Sequence, residues 1–361
     1  MRNTAVQYPA AQYPHLRRHY GSRGGMRGRS LLTLVSILLL LAAAGALVLW
    51  AVRQPVAFAP EVQGPRVTVE IPRGSSAGEM VQILRRDGVE VSPWLGRFWL
   101  MLHAYQLKAG FYDIPRGASL ETIVRKLREG EQTLLSLTIP EGWTLRQIRT
   151  RVQSKPWLQA DTAAMSEAQL AVALGLPPQV PVEGQLAPDT YRYPPGTSDL
   201  VFYKQAVREM QKKLQAAWAQ RSPNAQVKTP QEALILASIV EKETGSAADR
   251  RMIAGVFNNR LALGMPLQTD PSVIYGMGER YAGKIHKADL QADGPYNTYT
   301  RTGLPPGPIA MPSFAALMAA VQPAETKALY FVAKGDGSGQ SEFSETLAQH
   351  NEAVREHILK R

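Results

Sequence analysis

Residues 31–52 read LLTLVSILLLLAAAGALVLWAV, a continuous apolar stretch without one charged side chain. No other feature of the chain narrows its possible folds as much. At about 1.5 Å of rise per residue, a helix of this length matches a hydrocarbon layer of roughly 30 Å. Thr33 and Ser36, its most polar members, can bond back to their own helix. Trp50 sits near one end, where an amphipathic ring favours the membrane interface, and Arg53 closes the run. The stretch is longer than the apolar region of a secretory signal. Immediately after it, Gln54-Pro55-Val56-Ala57-Phe58 offers no small-residue cleavage site. The expectation is an uncleaved transmembrane helix over 31–52.

The 361 residues carry a formal charge of +11, which by itself invites a nucleic-acid ligand. Six of those charges are Arg2, Arg17, Arg18, Arg23, Arg27 and Arg29, in a segment with no lysine and no acid. Residues 1–30 also lack apolar periodicity and read as a basic, disordered tail. Arginines ahead of an apolar span place that tail in the cytoplasm and the remainder across the membrane, periplasmic or otherwise extracytoplasmic in a bacterium. The basic excess is thus a matter of topology, and no nucleic-acid partner is expected. The absence of cysteine excludes disulfides, thiolate zinc sites, iron–sulfur clusters and a thiol nucleophile. The histidines form no zinc motif, and no Gly-rich loop with lysine is present to cradle phosphate. Neither metal nor cofactor is expected.

Residues 53–65, rich in Pro, Val and Ala, read as a spacer. A pattern then recurs: Ile71-Pro72-Arg73-Gly74, Ile114-Pro115-Arg116-Gly117 and Ile139-Pro140-Glu141-Gly142 each end a short strand and precede a Ser or Thr that opens an amphipathic helix. Ser76 and Glu79 have the spacing of a capping box. Such units resemble a LysM-like module, associated with N-acetylglucosamine-containing glycans, over 66–153. The same turns are also a common solution to chain reversal, and the region could equally be a rigid spacer. From 154 to 361 the chain reads as a larger mixed domain, with a proline-rich stretch to Thr197, a short helix over 166–174 and an amphipathic helix from Asp199 to Trp218.

Thr229-Pro230-Gln231-Glu232 announces the most informative helix: an N-cap, a proline at the first turn and an acid three residues on. It is apolar nearly all round, as a buried helix is, and ends in Glu241-Lys242-Glu243-Thr244, with Gly245 as the expected C-terminal glycine. Glu241 shares a face with Leu234, Ala237 and Ser238. Partial desolvation and the negative helix C-terminus both favour its protonated form, as a general acid for glycosidic cleavage requires. Glu243 lies on another face, so the two cannot serve one site. Two solvated last-turn glutamates are the alternative. A second helix is expected over 247–263. Beyond it, 265–276, 296–299 and 303–309 are loops dense in amide, hydroxyl and aromatic groups, which suits a sugar.

With these residues in view, the chain resembles the endolytic murein transglycosylases, the MltG or YceG-like family. The match is carried by ASIVEKET at 237–244, NRL at 259–261, LQTDPSVIYGMG at 267–278, YNTY at 296–299 and GLPPGPI at 303–309. EGQLAPDTY at 183–191 and the segment FSETLAQHN at 343–351 complete it. Two residues before Phe343, where the family often has a histidine, stands Ser341. The resemblance implies an α+β protein: one transmembrane helix, a small LysM-like module and a larger catalytic domain. It implies that Glu241 protonates the oxygen between N-acetylmuramic acid and N-acetylglucosamine, then as a base activates the C6 hydroxyl to close a 1,6-anhydro ring. Substrate contacts carried over are Gln268, Thr269, Asp270, Tyr275, Tyr296, Asn297, Thr298 and Tyr299, with Asp189 and Tyr191. Asp270 before Pro271 could equally be a turn cap. Tyr281 and Arg280 are further groove candidates. A hydrolytic muramidase, with Asp270, Asp189 or Glu183 as its second carboxylate, and a non-catalytic peptidoglycan-binding scaffold are the rival readings. The resemblance also implies partners: glycan strands, the membrane through one helix, and peptidoglycan synthases.

Overall fold

The computed structural model describes residues 25–177 and 179–359. Most of the tail expected over 1–30 lies outside them. The chain divides between Gln132 and Thr133 into two compact units.

In the first unit, α1 covers Gly25–Arg53, so the helix begins within the segment read as tail. Among the described residues it is the one helix long and apolar enough to cross a membrane, over Leu31–Arg53. Its last turn is different from the rest. Val52 is fully buried, Val48 packs beside it, and Arg53 Nε donates to Glu121 at 3.0 Å. β1 (Ala57–Phe58), β2 (Arg66–Ile71), α2 (Ala77–Arg86), β3 (Val89–Glu90), α3 (Pro93–Leu102), β4 (Gly110–Pro115) and α4 (Leu120–Glu129) come next. β2 pairs antiparallel with β4, Val69 opposite Tyr112, while β1 pairs with β3. Val69 and Ile71 point inward and Thr68 and Glu70 outward, the alternation that the pleat dictates. Met80, Leu84, Ile123 and Leu127 close the core.

The spacer expected over 53–65 is built into this unit instead. Val56 N–H donates to the Ala118 carbonyl at 2.8 Å. The Arg116 guanidinium lies 4.9 Å above the Phe58 ring and donates to the Val62 carbonyl at 2.7 Å. The segment's apolar side chains find a core to join, which outweighs the looseness its prolines implied.

The second unit contains β5 (Leu135–Ile139), α5 (Leu145–Gln153), α6 (Glu167–Ala173), β6 (Asp189–Tyr193), α7 (Asp199–Trp218), α8 (Pro230–Glu243) and α9 (Arg250–Ala262). It continues with α10 (Asp270–Met277), α11 (Lys287–Gln291), α12 (Phe314–Val321), β7 (Tyr330–Ala333), β8 (Ser341–Ser344) and α13 (Leu347–Val354). The unit boundary falls earlier than the 153/154 junction expected from the repeats. β5 pairs antiparallel with β6, Leu137 opposite Tyr191, so the third strand–turn–helix copy belongs to the second unit. One core lies under that pair, with Ile148 and Phe202, and another surrounds α8.

All three copies use the same local chemistry. Gly74, Gly117 and Gly142 take φ of 80°, 87° and 72°, the left-handed conformation that glycine adopts without a Cβ clash. Ser76, Ser119 and Thr144 then cap the helices by accepting from Glu79, Thr122 and Gln147 N–H. α8 starts as expected, Thr229 accepting from Glu232 N–H at 3.1 Å, and buries every residue from Ala233 to Val240. Its end departs from expectation. Thr244 is extended, at φ −148° and ψ 136°, and its hydroxyl accepts from Ser246 N–H at 2.9 Å, so no left-handed glycine closes the helix.

Candidate functional site

The second unit holds a groove of about 780 Å³, within the roughly 300–1,000 Å³ of ligand sites. One wall is α5. Leu145, Ile148 and Val152 face the core, which turns Arg146, Gln147 and Thr150 to the groove. The facing wall is α10, through Pro271, Ile274 and Tyr275, and Tyr281 lies just beyond it. Glu183, Lys242 and Ile309 complete the lining. Arg146 also reaches Glu279 at 3.7 Å, an exposed pair that contributes little stability.

Glu183 enters from a pinned loop. Gly184 has φ 79°, and a Cβ there would come within 2.5 Å of Pro308. The carboxylate is buried, and both its oxygens lie 3.1 Å from Leu145 N–H, at the start of α5. Burial pushes Glu183 up to about 7, against the downward pull of the Leu145 N–H and the Tyr275 hydroxyl. Burial likewise raises Tyr275, whose ring meets Tyr296 edge-on with centroids 4.8 Å apart.

At the end of α8, Glu241 is half-buried and held by one residue. Its Oε2 accepts from the Ser313 N–H at 3.0 Å and the Ser313 hydroxyl at 2.5 Å, and Ser313 is the N-cap of α12. Oε1 accepts no hydrogen bond from the described residues. Beside it lies the turn of the third copy. A Cβ on Gly142 would stand 3.8 Å from Glu241 Cγ and 3.7 Å from Lys242 Cδ, and Lys242 Nζ donates to the Gly142 carbonyl at 3.3 Å. Gly142 N–H donates to the Met311 carbonyl at 2.9 Å, and Met311 N–H returns a bond to Trp143 at 2.8 Å. This two-way lock ties the turn to the segment that delivers Ser313.

Glu243 points elsewhere, as its position around the helix predicts. It accepts from the Thr269 hydroxyl, and burial, aided by nearby Asp270, pushes it up to about 7. Glu243 and Glu183 are the two carboxyls of this region that burial raises to about 7.

The residues carried over as substrate contacts divide by placement. Tyr275 lines the groove and Tyr296 packs against it. Gln268 is exposed with φ 53°, a strained conformation for a side chain of its size, and its Oε1 accepts from Arg260 at 3.2 Å. Tyr299 donates to Asp270 Oδ1 at 2.6 Å, and Asp270 is the first residue of α10. Thr269, Asn297 and Thr298 are buried and fully engaged. The Thr298 hydroxyl accepts from Thr269 N–H at 3.0 Å. The Asn297 amide donates to the Asp289, Leu290 and Ala292 carbonyls. They brace the loops and offer no free polar group to a ligand.

Asp189 and Tyr191 are not brought to the groove. Both lie on β6. Tyr191 is 4% exposed, donates to the Ala187 carbonyl at 2.7 Å and packs edge-on against Phe202. Asp189 is exposed, 3.9 Å from Lys213. Of the 183–191 segment, Glu183 alone lines the groove; residues 184–188 are a buried loop, and Asp189, Thr190 and Tyr191 pair with β5. The α5 face, Lys242 and Ser313 were absent from the sequence-based set. The amphipathic pattern of α5 could have pointed to its outer face, whereas the Glu241–Ser313 contact spans 72 positions and leaves no local trace. Ser341 sits on β8, its N–H donating to Asp249 at 2.6 Å.

Residues 69–356 match the YceG-like family. The chain is 33% identical over 317 residues to the endolytic murein transglycosylase of Bacillus subtilis (strain 168), covering 81% of this chain and 85% of that one. It is 32% identical over 326 residues to the endolytic murein transglycosylase of Streptococcus pneumoniae serotype 2 (strain D39), covering 81% of this chain and 58% of that longer protein. The crystal structure of a yceG-like protein from Listeria monocytogenes aligns with a TM-score of 0.52 at 34% identity, over 80% of this chain and 99% of that one. The family match runs through both units, from 69 to 356, and on that ground the chain belongs to the YceG-like family.

Proposed function

We propose that this protein is a membrane-anchored endolytic peptidoglycan lytic transglycosylase, with Glu241 as its catalytic acid and base. The observation that carries the reading is Glu241 itself: a carboxylate clamped on one oxygen by Ser313, with no bond from the described residues on the other, beside the groove residue Lys242, in a chain similar to murein transglycosylases. Oε1 donates a proton to the oxygen leaving muramic C1, and the C1–O bond to the next sugar breaks. The ionised carboxylate then takes the proton of the C6 hydroxyl as O6 bonds to C1. A 1,6-anhydro end and a free N-acetylglucosamine hydroxyl result, no water is consumed, and Glu241 ends protonated as it began. Tyr275 and Tyr281 offer ring faces to sugars, and Arg146 and Lys242 offer charge to stem-peptide carboxylates.

The proposed anchor is α1, whose exposed apolar surface needs a hydrocarbon environment, with the arginine-rich N-terminus cytoplasmic and both folded units outside. An anchored enzyme meets glycan strands as they emerge, in the company of peptidoglycan synthases, a partnership that rests on the family resemblance. The order β2–α2–β3–α3–β4, in which β2 pairs with β4 across the two helices, supports a LysM-like reading of the first unit.

The test is to incubate the full-length chain and its Glu241→Gln variant with glycan strands and read product ends by mass spectrometry. Anhydro ends from the wild type, and a loss of about 10²–10⁴-fold in the variant, are expected. Reducing ends would make it a muramidase, with groove-lining Glu183 as the second carboxylate. No cleavage by the wild type would make it a scaffold, and full activity in the variant would refute the assignment of Glu241.

A further inference from the structure

Helix α3 is apolar on two faces although its packing uses one. Its sequence, PWLGRFWLML, holds a single charge, Arg97, and no acid. Gly96 and Leu100 are buried, and a Cβ on Gly96 would come within 2.5 Å of Val91 Cγ1, so that face is seated closely. The opposite side carries Trp94, 70% exposed, then Phe98, Met101 and Leu102, and beyond the helix Tyr105, 85% exposed. These positions recur at helical spacing and form one stripe, with the Trp94 and Phe98 rings stacked 5.9 Å apart. An apolar stripe of this size on a small folded unit marks a contact surface.

The occupant is set by α1. Val48 and Val52, in its final turns, belong to the same apolar cluster as Leu95, Trp99 and Leu100 of α3. The membrane-spanning candidate therefore leaves its apolar stretch alongside α3, with Trp50 exposed at that level. Trp and Tyr rings with polar edges, Arg97 on the helix, and Lys108 and Arg128 beside Tyr105 suit the boundary between headgroups and acyl chains. We propose that α3 is an interfacial helix whose outer face rests in the leaflet from which α1 emerges. The first unit then has two attachments to the bilayer, which stops it turning about α1. The proposal rests on the reading of α1 as a membrane span.

Because the chain has no cysteine, one engineered residue labels one site. Full-length protein carrying an environment-sensitive fluorophore at Met101→Cys, Leu49→Cys or Glu70→Cys is reconstituted into phosphatidylcholine–phosphatidylglycerol vesicles, with and without acyl-brominated lipid. A loss of emission of about twofold or more at 101 and at 49, with none at 70, is the expected result. Quenching at 49 alone overturns the proposal and leaves the anchor standing. No quenching at 49 removes the anchor and the proposal together. Equal quenching at all three positions indicates unspecific adhesion, and a change at 101 that tracks protein concentration rather than bromine identifies a second copy; either overturns it.

Discussion

The turns at Gly74 and Gly142 are spelled almost alike and fold alike, yet one belongs to a self-contained small unit and the other stands beside the proposed catalytic carboxylate. Ile71-Pro72-Arg73-Gly74 and Ile139-Pro140-Glu141-Gly142 both end a strand in a left-handed glycine and pass to a capped helix. What separates them is the partner strand. β2 pairs with β4 of the second copy, and nothing lies within 4 Å of a Cβ placed on Gly74. β5 pairs with β6, from the far end of the proline-rich stretch, and Gly142 is locked to Met311 beside Glu241. A local motif sets a local shape; whether that shape becomes a spacer or the wall of a site is decided by what the rest of the chain brings to it.

The comparison breaks most forcefully in the cores. Ile114 and Ile139 are both buried, one under each pair of strands. Replacing either with Ala costs about 2–5 kcal/mol. Ile139→Ala lowers the unfolding temperature of the second unit and abolishes glycan cleavage on mild heating, while Ile114→Ala leaves cleavage intact; calorimetry with activity assays on heated samples checks both. Equal losses of activity would mean that the two copies are not functionally distinct.

The helix starts provide the next test. At α2 the nearby acid is Glu79, exposed, and lowered by hydrogen bonds from Ser76. At α5 it is Glu183, from a remote loop, buried and raised to about 7. A carboxyl raised in the folded state stabilises fully below its unfolded value near 4.5 and loses that contribution as pH climbs through about 7. Denaturation curves of the wild type therefore show stability declining across this window. Glu183→Gln keeps an acceptor for Leu145 N–H and removes on the order of 3 kcal/mol of that decline. Glu79→Gln leaves it unchanged. An unaltered slope in Glu183→Gln would show that the carboxyl is not held protonated.

The smallest effect concerns the turns themselves. Gly74→Ala and Gly142→Ala each cost about 1 kcal/mol from the left-handed backbone. The second also brings a methyl against Glu241 and Lys242. Both variants lose similar stability in denaturant, but only Gly142→Ala reduces cleavage several-fold. Identical turnover in the two would detach the third turn from the site.

Much of this was legible along the chain because the signals are short-ranged. The caps at Ser76 and Thr229 act over three residues, and α7 covers Asp199–Trp218 as its amphipathic pattern predicts. The apolar run, the buried character of α8 and the divergence of Glu241 from Glu243 also come from periodicity. Composition misled where it stood in for packing. The proline-rich 53–65 read as a spacer, but its Val56 and Phe58 had a core within reach. The third repeat looked like a continuation of the first two, since nothing in Leu135–Ile139 names β6 as its partner.

The amino-acid order by itself determined the apolar helix, the three turns, the α8 carboxylates and the family, because each rests on neighbours a few bonds away or on motifs kept whole. Tertiary structure alone decided that Glu183 and Glu243 sit in dry surroundings, that Ser313 clamps Glu241, that Tyr191 is core, and that α3 turns an apolar face outward. Burial and long-range hydrogen bonds depend on which distant segments meet, and that information exists only once the chain has closed on itself.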